Sequence, residues 1–212
     1  MIGLNPFQEH LLEAFFARET GFFLTGATAL AGYHLHHRVT ENLELCTLED
    51  RVRVGEAALL EAASDAGAKV QRLPADESCG KFLLRRGENS LVVDIKRDTG
   101  PQVDPEKTVI GNVLVDGPND ITVKKMCALL ADAEVNDLID LRALEIAGYT
   151  IEDHIGSAAR KDPEMTPAEL VRVLSEFEID NNAEIPSDVD PADLRSYLAV
   201  LVLRLTSMAA RT

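Results

Sequence analysis

The chain has 212 residues, 46% of them apolar, which is enough for one large domain or two small ones around a sizeable core. Its 36 acidic against 21 basic side chains give a formal net charge of -15. That balance argues against nonspecific binding to nucleic acid, which relies on Lys and Arg, although a local basic pocket stays open. The excess acid is read first as a solvated surface rather than as a surface for a partner.

The cysteines and the start of the chain bear on the compartment. Cys46, Cys79 and Cys127 are scattered and form no CxxC pair, so buried free thiols are favoured over a structural zinc site. The first residues lack the basic start and long apolar core of a signal peptide, and no apolar run is long enough to span a bilayer. We therefore expect a soluble, cytoplasmic protein with no membrane partner.

Helix and strand signals alternate in the first half of the chain. Asn5 followed by Pro6 predicts a helix start, because the Asn side chain can cap free N–H groups and Pro lacks one. Strict alternation over 42–47 places Asn42 and Glu44 on one face of a strand. The predicted elements are a helix over 6–19, a strand over 22–25, a helix over 29–37, a strand over 42–47, a helix over 53–67, and strands over 69–73, 81–86, 90–98 and 108–117. Gly87 and Asn89 are the predicted turn residues of a hairpin between two of these strands.

The second half contains helix signals alone. Thr166 and Asp190, each followed by Pro, are strong helix starts for the same capping reason. The predicted helices cover 122–132, 134–148, 151–161, 168–178 and 192–209. We therefore predict an α+β fold with two domains, a mixed α/β domain over 1–117 and an all-helical domain over 118–212.

The first half carries a pattern that suits phosphate chemistry. The glycine–small–threonine turn at 26–28 opens a helix, so it can present N–H groups and a hydroxyl to phosphate oxygens. Asn42 and Glu44, two residues apart on a strand, project from one face, where oxygen ligands could share metal ions. Asp94 lies in an apolar strand, and a buried acid needs a partner. It would complete a metal site if its strand pairs near residues 42–47.

These residues resemble a known family. The run LTGATAL at 24–30, His37-Arg38, and TENLEL at 40–45 resemble the first motif of the nucleotidyl transferase AbiEii/AbiGii toxin family, which usually reads LTGGTAL, HR and SxDLDL. Residues 125–130 and 134–141 resemble the family's KxxAL and RDxxD segments. The resemblance covers residues 22 to about 145. Only the first motif, taken as an ordered whole, is specific.

The resemblance implies a nucleotidyltransferase-type mixed β-sheet flanked by helices and followed by a helical region. It further implies a toxin, paired with an antitoxin protein, that transfers a nucleoside monophosphate from NTP to an acceptor such as RNA with Mg²⁺ or Mn²⁺. The residues it assigns are Asn42, Glu44 and Asp94 for metal, Gly26, Thr28, Arg38 and Thr40 for nucleotide phosphates, and Glu44, Asp94, Lys125, Asp137 and Asp140 for catalysis.

The sequence also departs from the family motif. Ala27 replaces the second glycine, Asn42 replaces the first metal-binding acid, and Glu44 is one methylene longer than Asp. One missing charge at about 4 Å is an effect on the order of 4 kcal/mol at an effective dielectric near 20, so Mg²⁺ should bind weakly. Asp132 and Asn136 stand where the family often has Arg. We expect weakened transfer; the alternative is an inactive descendant that serves as a nucleotide-binding or protein-interaction module.

Several assigned residues also have structural interpretations. Thr28 could simply cap a helix, and Glu44 could be a solvent-facing strand residue. Asp137 and Asp140 could be salt-bridge partners of Lys125 or Arg142 rather than part of a site. Arg38 could pair with Glu41 or Glu44 instead of a phosphate. For the histidines at 34, 36 and 37, surface or helix-end positions are favoured over a metal cluster.

Overall fold

The computed structural model describes residues 3–76, 78–179, 185–186 and 189–211. The chain divides into two compact units. The first runs through Gly100 and takes in Asp104–Gly117, and the second holds Pro101–Val103 and the chain from Pro118 onwards.

The first unit is built around one mixed sheet, with seven strands among the residues described. Its elements are α1 (Pro6–Phe16), β1 (Phe23–Thr25), α2 (Gly26–Ala29) continued by a π-helical turn (Leu30–His34), β2 (Asn42–Thr47), α3 (Val52–Asp65), β3 (Lys69–Leu73), β4 (Cys79–Arg86), β5 (Asn89–Arg97), β6 (Thr108–Ile110) and β7 (Val113–Val115). The strand order is β3-β4-β5-β2-β1-β7-β6. Strands β2 and β5 run parallel, as do β1 and β7, and the other neighbouring pairs are antiparallel.

Local chemistry explains where the first elements begin. The Asn5 side chain accepts hydrogen bonds from the backbone N–H groups of Phe7 (2.9 Å) and Gln8 (3.0 Å), and the Gln8 side chain accepts one from the Asn5 N–H (2.9 Å). This capping box starts α1 as predicted. The turn from β1 into α2 needs Gly26, whose φ of +67° lies in the left-handed region.

The core of the first unit lies under one face of the sheet. Leu43 and Leu45 of β2 and Val93 and Ile95 of β5 are buried. Helix α3 packs against β3, β4 and β5, and α1 packs against α3, where Phe15 is fully buried. Burial of this alternate set turns the other set of side chains on β2 and β5 to the opposite face of the sheet.

The second unit consists of helices within the residues described. They are α4 (Pro118–Asp132), α5 (Val135–Ile146), α6 (Ile151–Lys161), α7 (Pro167–Glu176) and α8 (Pro191–Ala209). The side chains of Thr150, Thr166 and Asp190 cap the N-termini of α6, α7 and α8. Helix α4 packs against α5, α6 and α7, and α8 packs against α7 and α5. The predicted α+β fold with a helical C-terminal region is therefore confirmed.

The structure corrects three predicted elements. Residues 108–117 form a hairpin, β6 and β7, rather than one strand, because Gly111 turns the chain with a φ of +65°. The helix predicted over 29–37 begins at Gly26 and its π-helical turn ends at His34. Asn89 belongs to β5 rather than to the preceding turn. Most of the segment between the helices predicted over 168–178 and 192–209 lies outside the described residues. Crossing a bilayer requires more length and apolarity than any helix among the described residues offers.

Candidate functional site

Two carboxylates lie side by side on the half-exposed face of the sheet. Parallel pairing of β2 and β5 sets Glu44 directly opposite Asp94. The residues that precede them in the sequence, Leu43 and Val93, are buried in the core. Because successive side chains of a strand alternate, the two acids project to the other face of the sheet. The expectation that the Asp94 strand pairs near residues 42–47 is therefore confirmed.

Each of these carboxylates has a lysine partner. The Nζ atom of Lys96 lies 2.5 Å from Oε2 of Glu44, and the Nζ atom of Lys81 lies 3.8 Å from Oδ1 of Asp94. Asp94 and Lys81 face each other across the antiparallel pair β4 and β5, and Lys96 follows Asp94 by two residues on the same face. The four side chains form what we call the sheet-face cluster: Glu44, Asp94, Lys81 and Lys96. Its formal charges sum to zero.

The cluster is half-exposed, and its environment shifts two pKa values. Burial raises the pKa of Asp94, the Lys81 ammonium opposes that shift, and the Glu44 carboxylate adds to it. Burial alone would lower the pKa of Lys96, but the Glu44 carboxylate outweighs this effect and holds the pKa above the usual range for lysine. Lys96 is thus a permanent cation at neutral pH, while Asp94 is a more basic carboxylate than an exposed aspartate.

Gly26 leaves room for the Glu44 carboxylate. A side-chain carbon at position 26 would overlap Oε1 of Glu44, so the carboxylate rests against the turn where any other residue would place its Cβ. The positive φ independently favours glycine there. The turn and the Glu44 carboxylate are therefore in direct contact, as the sequence pattern suggested for a shared site.

The two threonine hydroxyls predicted to contact phosphate are buried and paired with each other. Oγ1 of Thr28 lies 2.8 Å from Oγ1 of Thr40, and the Thr28 hydroxyl also donates to the backbone carbonyl of Asn42. The Gln8 side-chain amide donates to the Thr40 carbonyl at 2.8 Å. These bonds tie the helix after the turn to the start of β2. They position the turn against the strand, whatever further role the hydroxyls have.

Asn42 and Arg38 lie at the entrance to the same strand. Asn42 is the first residue of β2 and is exposed, two residues before Glu44 and on the same side. Arg38 is buried, with 8% of its surface exposed, and its Nη1 lies 3.4 Å from the Val39 carbonyl.

The donor set does not fit a Mg²⁺ site as it is folded. Mg²⁺ prefers several charged oxygen ligands in near-octahedral geometry. Here Asn42 offers a neutral amide, and an ammonium group occupies the neighbourhood of each carboxylate. Across the described part of the chain, no group of three or more His, Cys, Asp or Glu side chains is arranged to hold a metal ion. Metal binding by Asn42, Glu44 and Asp94 stays a prediction that this arrangement does not favour.

The three remaining predicted residues form a buried cluster inside the second unit. The Nζ atom of Lys125, on α4, lies 2.7 Å from Oδ1 of Asp137 and 2.8 Å from Oδ2 of Asp140, both on α5. Their side chains are only 12%, 10% and 0% exposed. Burial alone would lower the pKa of Lys125, but the Asp140 and Asp137 carboxylates raise it. Of the two alternatives for these acids, the structure contains the ion pair with Lys125; Arg142 instead approaches Asp193, at 3.9 Å.

Sequence reasoning missed charged residues in both the sheet face and the core. Lys96 follows Asp94 by two residues on β5, so strand periodicity could have placed it on the same face, whereas the position of Lys81 on β4 depends on the strand register. It also missed a fully buried carboxylate at Asp116, whose Oδ1 lies 2.6 Å from the Lys107 ammonium and whose Oδ2 accepts a hydrogen bond from the Thr25 hydroxyl at 2.6 Å. These two contacts of Asp116 join the segment before β6 to the ends of β7 and β1. Local sequence patterns do not predict them, because they depend on pairing between strands that are distant in the sequence.

The histidines and cysteines of the described residues belong to no group arranged to hold a metal ion. Nε2 of His34 hydrogen-bonds to the Asp116 carbonyl at 2.8 Å, and so it holds the end of the π-helical turn. The cysteines are free thiols, with Cys46 buried and Cys79 and Cys127 partly exposed.

Comparison with known proteins supports the fold rather than a family. No family model matches the sequence, and no curated protein is similar to it. Among solved structures, JHP933 from Helicobacter pylori is similar with a TM-score of 0.58 and 22% identity, over 99% of this chain and 95% of that one. A candidate nucleotidyltransferase from H. pylori is similar with a TM-score of 0.59 and 19% identity, over 97% of this chain and 94% of that one. The predicted nucleotidyltransferase-type fold is confirmed.

Proposed function

We propose that this chain is a nucleotidyltransferase-like protein of the AbiEii type, which binds NTP and transfers its nucleoside monophosphate to an acceptor such as RNA. The observation that carries the proposal is the pairing of Glu44 with Asp94 next to the Gly26 turn. Similarity of nearly the whole chain to a candidate nucleotidyltransferase supports it. Fold alone does not fix function, so the proposal rests on this site.

The reaction requires an acceptor hydroxyl to attack the α-phosphorus of NTP. The new P–O bond forms as the bond to the pyrophosphate oxygen breaks, pyrophosphate leaves, and the hydroxyl proton passes to a base. Asp94 suits the role of base because burial raises its pKa. The ammonium groups of Lys81 and Lys96 offset phosphate charge. The proposal assigns phosphate binding to Gly26, Thr28, Arg38 and Thr40. It assigns a part in catalysis to Lys125, Asp137 and Asp140 on the sequence motif alone.

The rate of nucleotidyl transfer should be low. In the family that the sequence resembles, two carboxylates on the strand corresponding to β2 would hold a divalent ion that adds charge neutralisation. Here one of these positions is Asn42, and the carboxylate at the other, Glu44, is bound to Lys96. The site therefore has less anionic charge than such an ion needs. Weak transfer is the expected outcome.

A label-transfer assay tests the proposal. The purified chain is incubated with each α-³²P-labelled NTP and a pool of small RNAs, with Mg²⁺ or Mn²⁺. We expect one NTP to label RNA slowly, and Asp94→Asn to reduce the rate by about a hundredfold, the scale of general-base catalysis. Glu88→Gln, at an exposed acid in the turn between β4 and β5, is the matched control and should leave the rate unchanged. Equal rates for Asp94→Asn and the native chain would refute the proposal.

A toxin role with an antitoxin partner is part of the same proposal and has its own test. Induced expression of the chain in a bacterial host should arrest growth if transfer damages RNA, and Asp94→Asn should relieve the arrest. Arrest that persists in this variant would separate toxicity from the proposed chemistry.

A second candidate is a nucleotide-binding or protein-interaction module without transfer activity. The pairing of both carboxylates with lysines favours it, because ammonium groups can contact phosphate without a metal ion, whereas transfer would need one. The two candidates separate in the same experiment. A thermal shift with NTP but no RNA labelling under any condition would select the binding module.

A further inference from the structure

The sheet-face cluster places two cations where the predicted site would hold metal ions. Lys96 lies against Glu44 at 2.5 Å, and Lys81 lies at a looser 3.8 Å from Asp94. Glu44 and Asp94 are direct neighbours on the parallel strands β2 and β5, so both ammonium groups lie beside the same pair of carboxylates. For a divalent cation arriving there, the two ammonium groups would offset the attraction of the two carboxylates.

The same lysines are well placed to contact a dissolved anion. Their side chains are 42% and 43% exposed, whereas the carboxylates beneath them are 30% and 21% exposed. An ammonium group has three N–H donors, and the carboxylate contacts do not use all of them. Lysine binds phosphate oxygens as a compact point charge, and pairing with a carboxylate fixes where that charge lies.

The charge balance argues against a metal ion, and the geometry of Lys81 leaves a cation available to a polyphosphate ligand. The four side chains sum to zero, so the cluster has no net negative charge with which to collect Mg²⁺. When a phosphate chain approaches, Lys81 can move to it at little cost, because the 3.8 Å contact with Asp94 is a weak surface pair. The Lys96–Glu44 pair, held against Gly26, stays in place as the anchor.

We propose that Lys81 and Lys96 act as built-in counter-cations that bind the polyphosphate of a nucleoside triphosphate without a divalent metal. The inference rests on the proposed function, because it names how the nucleotide of that site is held. It makes nucleotide binding, as distinct from transfer, independent of Mg²⁺.

Calorimetric titration of the full chain with each NTP, in EDTA and in Mg²⁺, tests the inference. We expect at least one NTP to bind in EDTA about as tightly as in Mg²⁺, and binding to weaken with added salt because the site is partly exposed. Lys96→Gln and Lys81→Gln should each weaken binding in EDTA by about tenfold. Lys69→Gln, at an exposed lysine of β3, is the matched control and should not change it.

A gain of metal binding provides a second readout that a merely structural role would not produce. The double variant Lys81→Gln/Lys96→Gln removes both of these ammonium groups from Glu44 and Asp94, so we expect it to bind Mn²⁺ in electron paramagnetic resonance titrations more tightly than the native chain. Circular dichroism verifies that the variant is folded. Lys96→Arg, which keeps the charge, should retain nucleotide binding in EDTA.

The outcomes distinguish this inference from the function on which it rests. Native binding of NTP only in Mg²⁺, or unchanged binding in both lysine variants, would overturn the inference and leave the proposed function standing. Binding of inorganic tripolyphosphate but of no NTP would support the lysine role and refute the proposed function. Absence of binding in either buffer would refute both.

Discussion

Two clusters of lysine and carboxylate side chains, one in each unit, use the same chemistry in different surroundings. In the second unit, Lys125 bridges Asp137 and Asp140 with contacts of 2.7 and 2.8 Å and little exposure. In the first unit, the sheet-face cluster is half-exposed and one of its contacts is 3.8 Å long. A buried charge must keep its partner, whereas a half-exposed one can exchange its partner for solvent or ligand.

The comparison separates a structural role from a binding role. The buried cluster fastens α4 to α5, and its three groups carry a net charge of -1 that the surrounding protein must accommodate. The sheet-face cluster is neutral and accessible. Geometry therefore suits the first to stabilising the fold and the second to receiving a ligand, although the sequence motif assigns both to one site.

Removal of the buried lysine should have the largest effect. Lys125→Met removes the ammonium group that contacts two buried carboxylates, so we expect a loss of about 3–5 kcal/mol in the free energy of unfolding. Urea unfolding followed by circular dichroism, with amide exchange in α4 and α5, measures it. A loss below about 1 kcal/mol would place this cluster in the same class as the sheet-face cluster and break the comparison.

The pH dependence of that loss provides a control. The pKa of Lys125 is raised in the folded state, so its contribution is fully present below the unfolded value, about 10.4, and is lost as the pH rises through the folded value. The difference in stability between the native chain and Lys125→Met should therefore shrink in strongly alkaline buffer. A difference that stays constant there would show that lost packing rather than charge explains the variant.

Gly26→Ala tests how strongly the position of the Glu44 carboxylate depends on its contact with Gly26. The new Cβ must both adopt a positive φ and overlap the carboxylate, and we expect a loss of about 2–3 kcal/mol. Gly67→Ala is the matched control, because Gly67 has nearly the same φ, +66°, and an alanine Cβ there would meet no atom within 4 Å. It should cost about 1 kcal/mol.

The difference between the two glycine variants isolates the contact with Glu44. Adding Glu44→Ala to Gly26→Ala should recover that difference, which a double-mutant cycle on thermal unfolding measures. Equal losses for Gly26→Ala and Gly67→Ala would mean that the carboxylate moves aside freely. The sheet-face cluster would then be looser than its 2.5 Å contact with Lys96 suggests.

Lys96→Met should have a small effect on stability, in contrast to Lys125→Met. Lys96 is 42% exposed and Glu44 is 30% exposed, so solvent can replace the lost partner. We expect the free energy of unfolding to fall by at most about 1 kcal/mol. Thermal melting in low and high salt measures it, with Lys69→Met as the control on the same sheet. A loss comparable to that of Lys125→Met would assign the sheet-face cluster to the fold rather than to a ligand.

Much of this arrangement was accessible from local sequence patterns. The alternation in NLELCT predicted the bounds of β2, and it placed Glu44 on the open face because Leu43 and Leu45 needed the core. The helix starts at Thr166 and Asp190 follow from side-chain capping and were predicted for the same reason. These features depend on neighbours within a few residues.

What the sequence did not reveal depends on strand register. Periodicity alone does not tell that Lys81 stands across from Asp94, or that Lys96 reaches Glu44 on another strand. Gly111 lies within the single strand predicted over 108–117, and only the pairing of β6 with β7 shows that it forms a hairpin turn. Motif reasoning counted acids as metal ligands and overlooked the lysines that occupy their neighbourhood.

Asp94→Asn should have the smallest effect on stability, with a sign opposite to that of Lys125→Met. Because burial raises the pKa of Asp94, its folded carboxyl binds a proton more tightly than the unfolded one, whose pKa is about 3.9. Ionisation therefore reduces stability as the pH rises above the unfolded value. Thermal melting of the variant and of the Glu88→Gln control, from pH 3 to pH 7, measures how much the ionisation of Asp94 changes the stability.

The asparagine variant lacks this titration, so at pH 7 it should melt at the same temperature as the native chain or slightly above it. Any gain should vanish toward pH 3. A variant that is less stable at pH 7 would mean that Lys81 and Lys96 stabilise Asp94 as firmly as Lys125 holds its two carboxylates. An acid that slightly destabilises the fold is expected where its charge serves a ligand. The sign of this small effect therefore shows whether the ionised Asp94 carboxylate destabilises the fold, as burial predicts, or stabilises it.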